Sequence, residues 1–300
     1  MIVRRIVSAL AVLVLAAPLI AAADTAADPG KTFMWRVERG GTTVYLLGSI
    51  HAMKEDSYPL PAIIEQAFAE SEIVVFEIDS DEMTAAAFQM LSAGTLKGGR
   101  NLESVVGPAT WAEFSDRMRE AGFDPAMCSS MKPWMAALTI TAFEMTGAGY
   151  LPSAGIDAYF AGRADDADKK SMALETVAFQ VSLFADLTAE QSLAFLTYTL
   201  ADLETLVPEL DRLSAYWRNG DVAPIEEFLL EGLEEFPELF GKLVTKRNRA
   251  WLATIGELLA GDSDAMVIVG AMHLVGEEGL VDLLREQGHT VEQVTQTLER

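Results

Sequence analysis

The sequence predicts an α/β fold with a mixed, mainly parallel sheet, and three observations lead to this prediction. The apolar runs IVVFEID (73–79) and AMVIVG (265–270) are short and rich in β-branched residues, which is typical of strands buried in a parallel sheet. Each run belongs to a strand–helix–strand pattern, one near each end of the chain. Between them, at about residues 82–260, helical periodicity dominates. We therefore expect two βαβ units with a large helical insertion.

The first residues have the pattern of a secretory signal peptide. Arg4 and Arg5 precede an apolar stretch at 6–20, and Ala21-Ala22-Ala23 offers a small-residue cleavage site. The apolar stretch is short for a membrane span, although an uncleaved anchor stays an alternative. Cleavage after residue 23 predicts a periplasmic or secreted protein, without stable membrane insertion after cleavage.

Composition argues against nucleic acid as a partner and against cysteine-based bridges and metal sites. The chain has 45 acidic and 22 basic residues and a formal net charge of −23, so it would repel nucleic acid, which we discount as a partner. Cys128 is the single cysteine, which rules out an intramolecular disulfide and a zinc site built on several thiolates. Its apolar surroundings predict a packed side chain. Residues 24–300 are expected to form one domain that includes the helical insertion.

The elements follow in a clear order along the chain. FMWRVE and TTVYLLG are joined by Gly40-Gly41 and predict a β-hairpin. A helix over 62–71 connects this hairpin to the strand IVVFEID, which completes the first βαβ unit. Within the helical insertion, a short strand is predicted at 171–175. The second βαβ unit consists of AMVIVG, the helical stretch GLVDLLREQG and the strand HTVEQV.

Two histidines follow predicted strands at the same spacing. GSIH places His51 three residues after Gly48, and GAMH places His273 three residues after Gly270. In open α/β sheets, ligands bind beyond the carboxyl ends of the strands, so both histidines are expected at the binding edge. We expect the glycines to permit a backbone turn that aims each imidazole over the sheet. A capping or packing role in the loops is the alternative reading of either histidine.

Acidic and other polar residues near predicted strand ends extend this candidate site. Glu77 stands in an apolar strand, where a carboxylate needs an ion pair or a bound cation. With His51 and His273 it supplies enough ligands for a catalytic metal site, or it acts as general base; pairing with an arginine is the alternative. Glu175 repeats the pattern of a strand-end acid. Arg247 and Asn248 are weaker candidates for positioned polar groups, and the preferred reading of this cluster is a solvated helix face. His289 is expected at the surface.

Several sequence blocks resemble the TraB/GumN family, which includes the TIKI proteins, described as metal-dependent proteases of the Wnt pathway. The resemblance rests on MWRVERGGTTVYLLGSIHAMKEDSYPLP, AFAESEIVVFEID and IVGAMHLVGEEGLVDLLREQGHTVE, with weaker support from KPWMAAL, GIDAYF, LETVAFQ, YWRNGD and RNRAW. It implies a fold related to the erythromycin-esterase and ChaN-like group. It also implies a site that uses His51, Glu77 and His273, with Arg247 and Asn248 carried over more loosely because Lys246 stands where the family often has an acid.

Together, the residues and the resemblance predict an exported metal-dependent hydrolase, with peptidase activity on peptide or protein substrates. The metal ligands would be His51, Glu77 and His273, and manganese, cobalt or zinc is the expected ion. The resemblance to ChaN-like proteins keeps open an alternative, a haem- or metal-binding envelope protein without catalysis. A cell-envelope interaction protein with a degenerate site is the third hypothesis.

Overall fold

A computed structural model describes residues 30–235 and 237–295, so the expected signal peptide lies outside the described residues. The structure contains a six-stranded sheet with the strand order β4-β3-β5-β2-β1-β6. The strands are Lys31–Arg39 (β1), Thr42–Ser49 (β2), Ile73–Phe76 (β3), Lys170–Ala173 (β4), Ala265–Gly270 (β5) and Val291–Thr295 (β6). The predicted α/β class with a mixed, mainly parallel sheet is confirmed.

The hairpin at the start of the chain forms one side of the sheet. β1 and β2 pair antiparallel, with Arg39 opposite Thr42. The two-residue turn consists of Gly40 (φ 62°) and Gly41 (φ 99°), and positive φ at both positions is what a tight hairpin turn needs. β6 pairs antiparallel with the other side of β1. After β5, the chain therefore passes β2 and β1, and β6 forms the edge of the sheet opposite β4.

The parallel part of the sheet brings distant segments of the chain together. β5 lies between β2 and β3 and is parallel to both, and β3 is parallel to β4. All six residues of β5 are buried, as the continuous apolar sequence AMVIVG predicts for a central parallel strand. The carboxyl ends of β2, β3 and β5 consequently share one edge of the sheet.

Helices surround the sheet and fill most of the chain between β3 and β5. The helices are Ala62–Glu70 (α1), Met83–Ala93 (α2), Leu102–Val106 (α3), Pro108–Glu120 (α4), Pro133–Gly147 (α5), Ile156–Asp166 (α6), Val177–Ala185 (α7), Ala189–Asn219 (α8), Val222–Glu235 (α9), Pro237–Phe240 (α10), Lys246–Leu259 (α11) and Leu280–Glu286 (α12). The stretch Gly241–Thr245 between α10 and α11 is a π-helical turn. The described residues include no helix that is both long and apolar enough to cross a bilayer.

Capping explains where the longest helix begins and ends. Thr188 accepts a hydrogen bond from the Gln191 backbone N–H, and the Gln191 side chain returns to the Thr188 N–H, so both form a capping box for α8. Gly220 ends the helix in the left-handed conformation, with φ 69°. Trp217 in the last turn donates its indole N–H to the carbonyl of Gly48, 2.6 Å away. The helical insertion is thus fixed to the end of β2, next to the candidate site.

Candidate active site

Three of the predicted residues meet at the carboxyl edge of the parallel strands. His51 follows β2, Glu77 follows β3, and His273 ends a short 3-10 turn directly after β5. Since β5 lies between β2 and β3, these side chains are neighbours although they are far apart in sequence. The His273 Nε2 atom lies 3.8 Å from Glu77 Oε1. The structure therefore brings the paired histidine motifs and the strand-end glutamate to one place.

Glu77 is a buried carboxylate with several hydrogen-bond donors. Its Oε1 accepts the backbone N–H of Gly270 at 2.8 Å. Its Oε2 accepts from Arg247 Nη2 at 2.5 Å and from the Gln180 side chain at 3.1 Å. Burial alone raises the pKa of Glu77, but the Arg247 charge, the two histidines and the Gly270 N–H outweigh it and hold the pKa well below its ordinary value. Glu77 is an anion in the folded protein.

Arg247 forms ion pairs with both strand-end glutamates, Glu77 and Glu175. It lies in the first turn of α11, after the π-helical turn, and its side chain is 1% exposed. Asn248 is also fully buried, so the expected solvated helix face is wrong. Besides its bond to Glu77, Arg247 donates from Nε to both carboxylate oxygens of Glu175 at 2.9 and 3.0 Å, and Nη1 donates to the Leu243 carbonyl at 3.0 Å. Burial lowers the pKa of Arg247, and the Glu77 and Glu175 charges more than reverse this. Because its N–H groups serve these partners, Arg247 holds the site together rather than presenting a free donor to a ligand.

His273 is fully buried and held in one orientation. Its Nδ1 lies 2.6 Å from Asn248 Oδ1, and its Nε2 lies 3.1 Å from Arg247 Nη1. The ring also packs against the Trp251 indole, with 4.5 Å between ring centroids. Burial and the neighbouring Arg247 charge lower the pKa of His273 to about 3. His273 is therefore a neutral imidazole at physiological pH.

His51 is held by an acid that the sequence analysis missed. Its Nδ1 lies 2.9 Å from Asp157 Oδ1, and the His51 side chain is 39% exposed. Asp157 is the second residue of α6, which is placed by a bond from the Ile156 N–H to the Ile50 carbonyl. The preceding Gly155 has no Cβ, which would lie 2.4 Å from the His51 carbonyl oxygen. The block GIDAYF carried this signal, but nothing local in the sequence ties it to a histidine 106 positions away.

The charge environment of His51 is opposite to that of His273. Burial lowers the pKa of His51, but the charges of Asp157 and Glu77 outweigh this and raise it to about 9. The half-exposed His51 is thus protonated at neutral pH in the metal-free protein. The two imidazoles, alike in sequence context, form one cationic and one neutral partner of Glu77.

Gly48 and Gly270 do not serve the backbone turn that we expected of them. Gly48 lies inside β2, and a Cβ there would come within 2.4 Å of a Phe33 ring carbon. Gly270 has a φ of −49°, which other residues also adopt. A Cβ on Gly270 would lie 3.4 Å from Glu77 Oε1, 3.5 Å from His273 Cδ2 and 3.7 Å from His51 Nε2. Gly48 therefore permits close packing, and Gly270 leaves open the space on which the three side chains converge.

The side chains around Gly270 are of kinds that bind divalent cations, but they are not arranged here as a formed metal site. His51 and His273 each have Nδ1 engaged by a partner, as histidine ligands of metals commonly do, and Glu77 Oε1 contributes a carboxylate oxygen. Three carboxylates, on Glu77, Glu175 and Asp157, surround Arg247 and the two imidazoles. One contact opposes metal binding, because Arg247 Nη1 already lies against His273 Nε2. In the described ranges, no three His, Cys, Asp or Glu side chains are arranged as a metal-binding group. Metal binding through His273 Nε2 would require the contact between Arg247 and His273 to open.

The remaining candidates lie elsewhere or serve as supports. Gln180 in α7 bonds both Glu77 and Glu175, and Trp251 donates its indole N–H to Glu175 at 3.0 Å; the sequence analysis assigned neither of them. Cys128 is fully buried, and burial raises its thiol pKa to about 11, which fits a packing role. His289 precedes β6 and lies at the amino edge of the parallel strands, opposite the site.

Fold and site together define an α/β protein with two histidines and a glutamate at the carboxyl edge of a mainly parallel sheet. The model of the TraB/PrgY/gumN family matches residues 33–293, and the chain belongs to this family. The chain is similar to the proteins named "Uncharacterized protein YbaP" of Escherichia coli (strain K12) and of Shigella flexneri. Each is 26% identical over 248 residues, which cover 82% of this chain and 89% of the relative. No solved structure matches the chain at a significant level.

Proposed function

We propose that this protein is a metal-dependent hydrolase, with peptide bonds as the expected substrate. One observation carries the proposal: His51 Nε2, Glu77 Oε1 and the His273 ring all border the space left by the missing side chain of Gly270. Both imidazoles have their Nδ1 atoms fixed by other side chains. Nε2 of His51 borders this space, whereas Nε2 of His273 faces Arg247 Nη1 and Glu77. Such convergence of two imidazoles and a carboxylate is unusual without a catalytic or ligand-binding role.

His51, Glu77 and His273 would hold the metal, with manganese, cobalt or zinc as the candidate ions. When bound, the metal would polarise a substrate carbonyl and lower the pKa of a water molecule. Glu77 suits the role of ligand better than that of general base, because its lowered pKa makes it a weak proton acceptor. The sequence left open whether Glu77 is a metal ligand or a general base, and its lowered pKa favours the ligand role.

The chain's own residues divide the remaining work by their exposure and charge. The half-exposed His51 is accessible to a substrate, and Asp157 orients its ring through Nδ1. Because Asp157 holds Nδ1, Nε2 of His51 is the nitrogen that would bind the metal, and it faces the space beside Glu77. Arg247 and Glu175 keep Glu77 in position from the buried side. The polar groups are therefore set before a substrate arrives, which favours catalysis.

The first experiment measures the metal content of the purified protein. Mass spectrometry after dialysis, and after loading with manganese, cobalt or zinc, should find close to one ion per chain in the wild type. His51→Ala and His273→Ala should both lose it. His289→Ala is the matched control, since it removes an imidazole at the opposite edge of the sheet. Wild-type metal content in both site variants would refute the assignment.

Hydrolysis is then measured with a peptide library in the presence of the ion that binds. Turnover that disappears in His51→Ala and His273→Ala, but not in His289→Ala, would support the peptidase. A Soret band on haem titration without cleavage of any peptide would support the alternative, a non-catalytic haem-binding protein. We further propose that the N-terminal segment directs export. A mature protein whose measured mass corresponds to a chain that begins at Asp24 would support this.

A further inference from the structure

The strand β4 forms an open edge of the sheet beside the candidate site. It occupies one end of the strand order and pairs with β3 on its other side. Three of its four residues, Lys170, Ser171 and Ala173, are exposed. An edge strand of this kind is a template for pairing with another extended chain.

Backbone geometry shows which groups of β4 face outward. The Leu174 N–H donates to the Phe76 carbonyl of β3 at 2.9 Å, so Met172 and Leu174 direct their polar groups toward β3. In a strand the direction alternates, and Ser171 and Ala173 therefore point their N–H and C=O groups away from the sheet. Within residues 30–235 and 237–295, β4 pairs with β3 alone, and no turn or loop hydrogen bond to these outward groups is recorded. They offer two adjacent positions for an added strand.

We propose that β4 binds an extended segment of a polypeptide substrate by strand addition. This inference rests on the proposed hydrolase function and names its substrate class as extended or unfolded polypeptide. Backbone hydrogen bonds would supply the recognition, as in other cases of strand addition. Directly after β4, helix α7 carries no charged residue and exposes 43% of Phe179, an apolar surface for a side chain of the bound segment.

The end of β4 leads directly into the candidate site. Two residues after β4, Glu175 accepts hydrogen bonds from Arg247 and Trp251, and its own N–H donates to the Glu77 carbonyl. An added strand would lie three inter-strand spacings of about 4.8 Å from β5. Roughly four residues of extended chain cover this distance, and one or two more reach β2, which precedes His51. His273 is fully buried, whereas the His51 side chain is 39% exposed, so the bound polypeptide would meet the site at His51. Peptides too short to pair with β4 and reach His51 should be poor substrates.

Proline substitutions test the outward N–H groups selectively. Ser171→Pro and Ala173→Pro each remove one outward donor, and prolines are tolerated in edge strands where the N–H faces solvent. Ala173→Val is the control that changes the side chain and keeps the N–H. The probe is fluorescein-labelled, reduced and carboxymethylated α-lactalbumin, an unfolded polypeptide, and its Kd for metal-free protein is measured by fluorescence anisotropy. We expect at least a tenfold higher Kd in both proline variants and a wild-type Kd in Ala173→Val.

A second measurement on the wild type does not depend on the variants folding. Hydrogen exchange at Ser171 and Ala173 should slow when the probe is added. Unchanged exchange with bound probe, absence of probe binding, or equal Kd in folded wild-type and proline variants would each overturn the proposal. The outcomes distinguish strand addition from the proposed hydrolase function. Probe binding that protects β4, without metal binding or peptide cleavage, defeats the hydrolase alone. Cleavage that depends on His51 and His273, with β4 unprotected, defeats strand addition alone.

Discussion

Asn248 determines which nitrogen of His273 carries the proton. The Asn248 Nδ2 group donates to two backbone carbonyls, of His273 at 3.1 Å and of Glu278 at 2.7 Å. The amide oxygen must therefore face His273 Nδ1, 2.6 Å away, and Nδ1 must donate the proton. His273 Nε2 consequently holds the lone pair and faces Glu77 and Arg247. An asparagine outside the reacting groups thus sets the chemistry of the buried histidine.

Asn248→Ala should weaken both the fold and metal binding. It leaves the His273 N–H and two carbonyls without their partner, and each unsatisfied buried group costs about 1–3 kcal/mol. Loss of a group that orients a metal ligand typically lowers affinity by about 10–100-fold. Titration calorimetry with the bound ion and urea unfolding measure the two effects.

The control for this variant is Asn101→Ala. Asn101 caps α3 through a bond to the Ser104 N–H, so its replacement should cost about 1 kcal/mol and leave metal affinity unchanged. Wild-type affinity in Asn248→Ala would contradict the role of Asn248 in orienting His273.

Arg247→Met should destabilise the metal-free protein by about 3–5 kcal/mol, because removing one partner leaves the buried charges of Glu77 and Glu175 unpaired. A divalent cation can neutralise these carboxylates in place of the guanidinium. We therefore expect a larger rise in Tm on adding the bound ion to Arg247→Met than to the wild type. Differential scanning calorimetry with and without the ion measures both quantities.

Arg249→Met is the matched control on the same helix. Arg249 is 58% exposed and pairs with Glu278 at 2.8 Å, and such surface pairs contribute about 0–1 kcal/mol. If the two arginine variants lose similar stability, the buried Arg247 network does not have the importance assigned to it here.

The stability of the metal-free protein should be greatest near pH 6.5. Unfolding returns Glu77 and His273 to their ordinary pKa values, so the unfolded chain binds more protons than the folded chain as pH falls from about 6.5 to about 3. Stability is lost over that range. His51, with its pKa raised to about 9, releases its proton on unfolding between pH 6.5 and 9, so stability is also lost as pH rises through this window.

Urea unfolding in EDTA at pH 4–9 tests both limbs. Asp157→Asn removes the main charge that raises the pKa of His51 and should flatten the alkaline limb, while His273→Gln should weaken the acid limb. His289→Gln provides the reference. An alkaline limb that is as steep in Asp157→Asn as in the wild type would contradict the His51–Asp157 pairing.

Local sequence patterns predicted most of the elements that position the site. The apolar runs of β3 and β5, the hairpin at Gly40-Gly41 and the helical region between them each have a periodicity or turn signal that depends on nearby residues. The sequence also placed His51 and His273 just beyond strand ends and Glu77 near the end of a strand predicted over 73–79, although β3 ends at Phe76. Because ends of parallel strands meet at one edge, that placement was sufficient to predict their convergence.

The parts that sequence analysis missed depend on long-range packing. Asp157 meets His51 because α6 is anchored to the loop after β2, and Gln180 meets Glu77 because β4 returns beside β3. No short-range pattern specifies these pairings. The role of glycine was misjudged for the same reason: the requirement at Gly48 comes from Phe33 on the neighbouring strand, not from its own backbone angles.

The two motif glycines provide a last prediction, since their substitution should have opposite effects. Gly48→Ala places a methyl group 2.4 Å from the ring of the buried Phe33, and overpacking of this kind costs about 1–3 kcal/mol. Gly270→Ala meets its neighbours at 3.4 Å or more, which is ordinary contact, so the fold should lose less stability. The new methyl group occupies the space between Glu77, His273 and His51, however, and metal affinity should fall at least tenfold. Urea unfolding together with metal titration of both variants separates the effects. If Gly270→Ala binds metal as the wild type does, the ion does not occupy the space on which these three side chains converge, and the assignment of the metal ligands is wrong.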